Sequence, residues 1–445
     1  MSNQLTQKTV LDNGLSVVTG YISDQATSEI YISIHVNSGS ADDMTNGEAH
    51  FLEHMLFNGI ETPRGSIDFK TLKQEREQNG IMFNAHTNRT ETVYKATVPT
   101  ALGDEGVERA LYELSRMVAS PSLLEDRIAH EKKVIHNEWG SYQSDLSRFL
   151  LDQLFLSAYA DNPEFSHRIL GEREDIAQIS REGLVNFMAS HYTAPNMTVA
   201  FSGPVDHRRV VSWAEDMSTD LPDVERPDLP VETTPTPFYE TINFSILPHA
   251  FFTICLSWEG SDDYESDIAI AMAQSVLSKR LNDVVREEKG DTYGLSVSSN
   301  KFRQTGVMQI HTDTDSSNVA HILKEIAREF SSLAYGDIEQ EIETMKGFWR
   351  NGNASTRRNA EYMMANLIDD SGRFGALYNP DISLEQIDNV TACAVQSYIL
   401  KAVSNPIGLV GLAPEGSYPP EAKFKDIMRL QEPSQKLRLR RDFTA

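Results

Sequence analysis

The chain contains one pattern of elements twice, and this internal repeat limits the folds it can adopt. Residues 217–240 hold five prolines among acids and threonines, which is typical of a linker. Before this stretch, an alternating segment at 28–36 leads to a helical segment, and after it, 250–258 leads to a helix at about 265–287. We therefore predict two homologous domains, 1–220 and 238–445, joined by a linker at 221–237.

The periodicity of each half predicts a mixture of strands and helices. Asn13-Gly14 lies between two short apolar runs in 8–20 and is a strong hairpin signal. Further strands are predicted at 82–88, 92–98, 241–245, 292–299 and 306–312, and further helices at 68–78, 103–118, 124–157 and 316–334. We predict an α+β fold in which each domain is an antiparallel-rich sheet covered by helices.

Two histidines and a carboxylate lie in the otherwise apolar helical segment 47–57. His50 and His54 are four residues apart, so both imidazoles project from one face of the helix, with Glu53 beside them. The order His-x-x-Glu-His is the inverzincin signature of zinc peptidases. A solvated polar face is the alternative, but unpaired histidine and glutamate are costly in so apolar a segment. The pattern indicates zinc with a general base.

The histidines supply only two ligands, and a helix further along the chain offers a third. Glu131 and Glu138 are seven residues apart, two helical turns, and project from one face. Either could complete a site of two histidines and one carboxylate that leaves a position for water. Cys255 and Cys393 both lie in apolar settings, which favours small core residues over metal ligands.

Composition excludes several classes of protein. The net charge of -25 argues against nucleic acid as a partner, because phosphates are bound by lysine and arginine. No apolar run approaches the length of a membrane span. Residues 1–8 lack both the apolar core of a secretory signal and the arginines of a transit peptide, so we expect a cytoplasmic protein.

These motifs together resemble the inverted-zincin peptidase family of mitochondrial processing peptidase, insulin-degrading enzyme and pitrilysin, and its small bacterial members in particular. The segment 50–54 is the most specific match. Asn84-Ala85-His86-Thr87 resembles the family's Asn-Ala-x-Thr strand, and 131–138 resembles its distal glutamates. In the second half, 286–294 is similar to a segment whose arginine and tyrosine face the substrate in relatives.

For the first half, the resemblance implies a complete catalytic set. His50, His54 and Glu138 would hold one zinc ion per chain, and Glu53 would be the base for its water. Glu131 would not bind the metal itself but would orient one of the ligands or share its proton.

The resemblance also implies residues that bind the substrate. Asn84 and Ala85 would lie on an edge strand to which an extended peptide adds by main-chain hydrogen bonds. Arg286 and Tyr293 would bind substrate or stabilise the developing oxyanion. The second half has Ile268 to Met272 where the first has 50–54, so it is expected to bind no metal.

Relatives of this length form half of a clam-shell chamber, and a second chain supplies the other half. Because this chain has both sets of residues, the resemblance implies a zinc-dependent endopeptidase that works as a homodimer on enclosed peptides. The alternatives are a non-catalytic subunit of such a peptidase and an obligate partner in a heterodimer.

Overall fold

The computed structural model of the chain describes residues 5–224, 233–244, 249–259, 264–288, 292, 294–302, 305–356, 358–374, 377–405 and 407–429. Tyr293 and residues 225–232 of the predicted linker lie outside these ranges. None of the helices in the described ranges has the length and apolar character that a bilayer span requires.

The first half contains eight strands and nine α-helices within the described ranges. In chain order they are β1 (Thr6–Val10), β2 (Ser16–Tyr21), β3 (Glu29–Val36), α1 (Glu48–Leu56), β4 (Gly59–Thr62), β5 (Gly65–Asp68), α2 (Phe69–Asn79), β6 (Met82–Thr87), β7 (Thr92–Pro99), α3 (Gly103–Ala119), α4 (Glu125–Ser144), α5 (Leu146–Ala158), α6 (Pro163–Ser166), α7 (Arg173–Gln178), α8 (Arg181–His191), β8 (Met197–Gly203) and α9 (His207–Met217).

The second half repeats the alternation of strands and helices. Its described elements are β9 (Tyr239–Asn243), β10 (His249–Glu259), α10 (Tyr264–Leu281), β11 (Leu295–Lys301), β12 (Thr305–Asp315), α11 (Val319–Tyr335), α12 (Glu339–Thr356), α13 (Ala360–Phe374), α14 (Pro380–Asn389), α15 (Ala392–Ser404), β13 (Gly408–Ala413) and α16 (Glu421–Met428). A stretch of π-helix, Asn282–Glu288, follows α10.

The first sheet has the order β1-β2-β8-β3-β7-β6, so β6 is an edge strand. Only β2 and β8 are parallel; the other neighbours are antiparallel. The predicted hairpin at 8–20 and the predicted pairing of 82–88 with 92–98 are both confirmed.

The second sheet has the order β11-β12-β10-β13-β9, with β13 and β9 as its parallel pair. Read from the opposite edge of the first sheet, β6-β7-β3-β8-β2 has the same order and the same position for the parallel pair. The predicted α+β fold with two sheet-containing domains is confirmed, and the matched topology supports the internal repeat.

Both faces of the first sheet are covered. Ile32 and Ile34 of β3 are buried on one face, as their alternation predicts. Ser33 on the opposite face is also buried, because α13 packs across β2, β3 and β8. The Ser33 hydroxyl donates to the sulfur of Met364 at 3.2 Å, and a Cβ on Gly20 would come within 2.3 Å of Met363 Cγ.

The two compact units of the molecule are not continuous in sequence. The first comprises Met1–Ser141, His167–Val231 and Asn351–Ser383, and the second comprises Tyr142–Ser166, Glu232–Arg350 and Leu384–Ala445. The units therefore differ from the predicted domains 1–220 and 238–445: α5 belongs to the second and α13 to the first. Periodicity gives each helix an apolar face but does not indicate which sheet that face covers.

The predicted single helix at 124–157 is wrong, because it is divided at Asp145 into α4 and α5. Asp145 has φ -91° and ψ 96°, and its side chain accepts hydrogen bonds from the backbone N–H groups of Ser147 and Arg148. This is the geometry of a helix N-cap. The apolar face of α5 then packs on β10 and β13 with Leu154 and Phe155 fully buried.

Candidate metal centre

Helix α1 is held in place by its apolar residues and by a buried carboxylate at its start. Phe51, Leu52 and Met55 are completely buried. Asp43 accepts hydrogen bonds from the backbone N–H groups of Gly47 at 2.7 Å and Ala49 at 2.8 Å, where a helix favours negative charge. Burial raises the pKa of Asp43, although these two hydrogen bonds oppose the shift.

Gly47 precedes α1 with φ +91°, a conformation that favours glycine. A Cβ at this position would come within 2.8 Å of the Gly171 Cα, so the backbone of the segment before α7 also approaches closely here. The positive φ of Gly47 and the close approach of Gly171 together fix the direction in which the chain enters α1.

The structure brings His50, His54 and Glu138 together. One ligand atom from each lies within 4.8 Å of the others, and His54 Nε2 is 3.5 Å from Glu138 Oε2. In a tetrahedral zinc site such atoms are roughly 3.4 Å apart. His50 Nδ1 is buried and makes no hydrogen bond, although a buried polar atom ordinarily has a partner. This set of two imidazoles and one carboxylate fits zinc.

The charges around the two histidines suit metal binding. Burial, and then the proximity of His54, lowers the pKa of His50 to about 3, so its imidazole is neutral near pH 7 and free to act as a ligand. Burial acts to lower the pKa of His54, but a hydrogen bond to Glu131 and the charges of Glu53 and Glu138 outweigh it and raise that pKa. The three carboxylates thus favour a positive charge at His54, whether from a proton or from a bound metal ion.

Glu53 lies on α1 beside His54, and Thr87 of β6 fixes its direction. The Thr87 hydroxyl donates to Glu53 Oε2 at 2.7 Å. Burial raises the pKa of Glu53, against the opposing effects of Thr87 and His54. A half-buried carboxylate with raised pKa and a fixed orientation can accept a proton near neutral pH.

The two distal glutamates contact different nitrogens of His54. Glu138 faces Nε2, whereas Glu131 Oε2 is 3.3 Å from Nδ1. Glu131 thus has the position of a residue that orients a ligand, and Glu138 has the position of a ligand. Burial acts to raise the pKa of Glu131, but hydrogen bonds with His54 and Asn58 lower it, so the carboxylate stays ionised.

The sequence did not single out Asn58 and Arg127, which support Glu131. Asn58 Nδ2 donates to Glu131 Oε1 at 3.2 Å and to the His54 carbonyl at 3.0 Å. Arg127 Nε donates to Asn58 Oδ1 at 2.6 Å, and the guanidinium lies 3.5 Å from Glu131. The only sequence signal was the position of Asn58, four residues after His54 at the end of α1.

Asn84 and Ala85 lie on β6, the edge strand of the first sheet, as the resemblance implied. Asn84 is exposed, and its side chain accepts a hydrogen bond from the Ala85 N–H at 2.9 Å. Strand β6 also contacts α1, and its last residue is Thr87. A peptide added to this edge would therefore run beside the helix that carries Glu53.

In the second unit, Arg286 is exposed within the π-helical stretch after α10. Tyr293 lies outside the described residues. At the position that corresponds to 50–54, α10 has Ile268 and Met272, which are buried in the apolar core. Within the described ranges, the one group of residues that could hold a metal ion is His50, His54 and Glu138, and it lies in the first unit.

Comparison with known proteins gives matches over both halves of the chain. The family model described as insulinase (peptidase family M16) matches residues 16–170, and the model described as the peptidase M16 inactive domain matches residues 178–346. Together they cover well over half of the chain.

Individual relatives extend over nearly the whole length. An uncharacterized zinc protease of Rickettsia felis is 25% identical over 388 residues, 86% of this chain and 91% of that protein. The mitochondrial-processing peptidase subunit beta of Saccharomyces cerevisiae is 25% identical over 441 residues, 93% of this chain and 92% of that protein. The crystal structure of a peptidase M16 inactive domain from Pseudomonas fluorescens covers 93% of this chain and 100% of that chain with TM-score 0.83; at 19% identity this shows the fold alone.

Proposed function

Because this chain belongs to peptidase family M16, as its motifs predicted, we propose that it is a zinc-dependent endopeptidase with one zinc ion per chain. The observation that carries the proposal is the convergence of His50, His54 and Glu138 beside Glu53. The relative in Rickettsia felis has the name of a zinc protease, which supports the choice of metal.

His50, His54 and Glu138 would hold the metal. At such a site zinc would supply a Lewis acid that polarises the peptide carbonyl and lowers the pKa of water. Glu53 takes the proton of the attacking water and returns it to the leaving amine, so the peptide bond breaks without an acyl-enzyme. Thr87 holds Glu53 in the orientation for both transfers, and Glu131 holds the His54 ring.

The substrate in this proposal is an extended peptide that pairs with β6. Main-chain hydrogen bonds to the free edge around Asn84 and Ala85 would place successive side chains on alternate sides. Because Thr87 links the same strand to Glu53, pairing with this edge also brings the peptide to the base.

We also propose a cytoplasmic homodimer in which each chain contributes half of an enclosing chamber. The support is that the chain has the catalytic set together with Arg286, whereas a chain that works only with a sister chain needs just one set. A heterodimer with a sister chain is the alternative, and the Saccharomyces cerevisiae relative is named as a subunit. The mass of the purified active particle separates the two.

The test of the proposed function is Glu53→Gln, which removes the base but not the ligands. We expect zinc content to stay at one ion per chain while cleavage of a quenched fluorescent peptide library falls below detection. Glu125→Gln, an exposed glutamate in the first turn of α4, is the matched control and should cleave like the parent. Equal cleavage by the Glu53→Gln protein would disprove the assignment of the base.

The sharing of residues across a dimer has its own test. Mixing a Glu53→Gln chain with an Arg286→Ala chain should restore part of the activity, because one of the two composite sites is then intact. If Arg286 acts within its own chain, mixing restores nothing, and the shared chamber is wrong.

A non-catalytic subunit is the second candidate, favoured by the match to a model described as an inactive domain. That match covers 178–346, however, which excludes His50, Glu53, His54 and Glu138. Zinc content of the purified chain decides between the candidates, since a non-catalytic subunit need not retain metal.

A further inference from the structure

A cavity of about 530 Å³ lies between α4 and α7 in the first unit, apart from the metal ligands. Its polar lining consists of Lys132, Lys133, His136, Asn137 and Arg173, and no carboxylate is among the lining residues. The only apolar contributions come from α7. A volume of this size falls in the range of small-molecule sites.

The charge of this cavity is opposite to that of the chain as a whole, whose net charge is -25. Within the described part of the chain, neither Lys133 nor Arg173 makes an ion pair, and both are exposed. Glu174 and Asp175 follow Arg173 on α7 but do not line the cavity.

Two of the cations are held in place before any ligand arrives. The Lys132 ammonium donates to the Ala177 carbonyl at 2.7 Å, which bridges α4 to α7. The Arg173 guanidinium lies 4.8 Å from the centre of the Trp139 ring, and the Trp139 indole N–H donates to the Gly171 carbonyl at 2.9 Å. Because these groups are fixed, little conformational freedom is lost when they bind an anion.

The spacing along α4 directs the remaining groups to the same place. Lys132 and His136 are four residues apart, and Lys133 is three from His136 and four from Asn137, so all four side chains are neighbours on one side of the helix. Glu131 and Glu138 of the same helix face His54 instead. Helix α4 therefore presents the metal carboxylates on one side and a cationic cavity on another.

We propose that this cavity binds a small oligophosphate anion, either inorganic or as part of a nucleotide. A planar guanidinium recognises phosphate oxygens in pairs, and ammonium groups add point charges, which together match several linked phosphates better than a single carboxylate. A volume of about 530 Å³ is sufficient for a small anion of this kind.

The test is titration calorimetry of the zinc-loaded full chain with inorganic tripolyphosphate and, in a separate arm, ATP. The pocket variant is Lys133→Gln with Arg173→Gln. The matched control is Lys70→Gln with Lys73→Gln, which removes the same charge from exposed lysines of α2 in the same unit. Removal of zinc by the phosphates contributes equally in all three proteins, so the comparison isolates the cavity.

We expect the parent and the control to bind tripolyphosphate within twofold of each other and the pocket variant to bind at least tenfold more weakly. If the parent binds ATP and tripolyphosphate with equal affinity, the phosphates are the whole ligand. If it binds ATP more tightly, the ligand is a nucleotide. Equal weakening in both double variants, or no binding by the parent at millimolar concentration, would overturn the proposal. Binding of hexaglutamate as tight as that of tripolyphosphate would also overturn it, since the cavity would then recognise acidic peptides.

Discussion

Helices α1 and α10 follow equivalent strands of the two sheets, β3 and β10, yet they differ in the polarity of the residues at corresponding positions. In α1, His50 and His54 interrupt the apolar pattern. In α10, the corresponding residues Ile268 and Met272 are buried in the core. The fold needs only the apolar contacts of such a helix, so the proposed metal ligands can be present or absent without a change of topology.

The comparison also shows what ligands require from the rest of the structure. Polar groups on α1 need partners, and these come from elements distant in sequence: Thr87 of β6 for Glu53, and Glu131 of α4 for His54. Met272 needs none, because it packs among other apolar side chains. A helix that carries the proposed metal ligands therefore depends on its surroundings in a way that its apolar counterpart does not.

The largest expected effect comes from truncating corresponding positions of the two helices: a proposed metal ligand in α1 and a core side chain in α10. His54→Ala should lower zinc affinity and peptide cleavage by roughly a thousandfold or more, because a ligand and the Lewis acid are lost together. Met272→Ala should keep zinc but lower the free energy of unfolding by about 2–5 kcal/mol, as for a large buried side chain cut to alanine. Zinc analysis and urea denaturation check both; zinc loss in Met272→Ala would contradict the division of roles.

The next effect concerns the partner of the base. Thr87→Val should lower kcat by about 10- to 100-fold with zinc content unchanged, because Glu53 loses the hydrogen bond that orients it. Thr97→Val, on β7 of the same sheet, is the control and should leave kcat within twofold. Steady-state cleavage of one peptide by all three proteins is the measurement, and equal kcat values would show that Glu53 is positioned without Thr87.

A smaller effect is expected one step further from the metal. Asn58→Ala should weaken zinc binding by about tenfold, because Glu131, which orients the His54 ring, then lacks the hydrogen bond from Asn58. Asn79→Ala is a matched control, since the Asn79 amide likewise donates to the carbonyl four residues earlier but touches no ligand. Competition with a zinc chelator measures both affinities. The same affinity in both variants would mean that Asn58 only ends the helix.

The smallest effect compares two histidine–carboxylate pairs, one in each unit. His35 of β3 is buried, and its Nε2 lies 2.8 Å from Glu91, whereas the pair of His249 and Asp315 lies at strand ends and is more exposed. Burial acts to raise the pKa of Glu91, but His35 and Asn88 lower it to about 2. Because this pKa is below that of an unfolded glutamate, about 4.3, the stabilisation is complete above that pH and is lost as the pH falls towards 2.

Glu91→Gln should therefore lower the free energy of unfolding by about 1 kcal/mol at pH 7, and parent and variant should converge as the pH approaches 2. Asp315→Asn, in the exposed pair of the second unit, is the control and should lower the free energy of unfolding at pH 7 by less than Glu91→Gln does. Denaturant titrations at pH 7, 5 and 3 follow the difference, and a gap that widens in acid would contradict the assignment.

Much of this could be predicted from sequence because the signals are local. The periodicity of β3, the Asn13-Gly14 turn and the spacing of His50 and His54 each depend on a few neighbouring residues. The long stretch between His54 and Glu138 was harder to interpret, since only the packing of α4 decides which glutamate meets which nitrogen of His54.

The remainder depended on contacts between distant segments. Asn58 is an ordinary polar residue after a helix until Glu131 and Arg127 are placed beside it. Likewise, the apolar faces of α5 and α13 are visible in sequence, but each covers a sheet from the other half of the chain. The amphipathic pattern of a helix predicts which of its faces is buried but not which sheet that face packs against.

The assignment of α13 to the first unit has a consequence during synthesis. Residues 360–374 leave the ribosome long after β8 at 197–203 has completed the strands of the first sheet. At ordinary elongation rates the interval is roughly ten to thirty seconds. Throughout it, Gly20 and Ser33 lie on a sheet face whose covering helix does not yet exist, so the nascent first unit offers this face to chaperones or to other nascent chains.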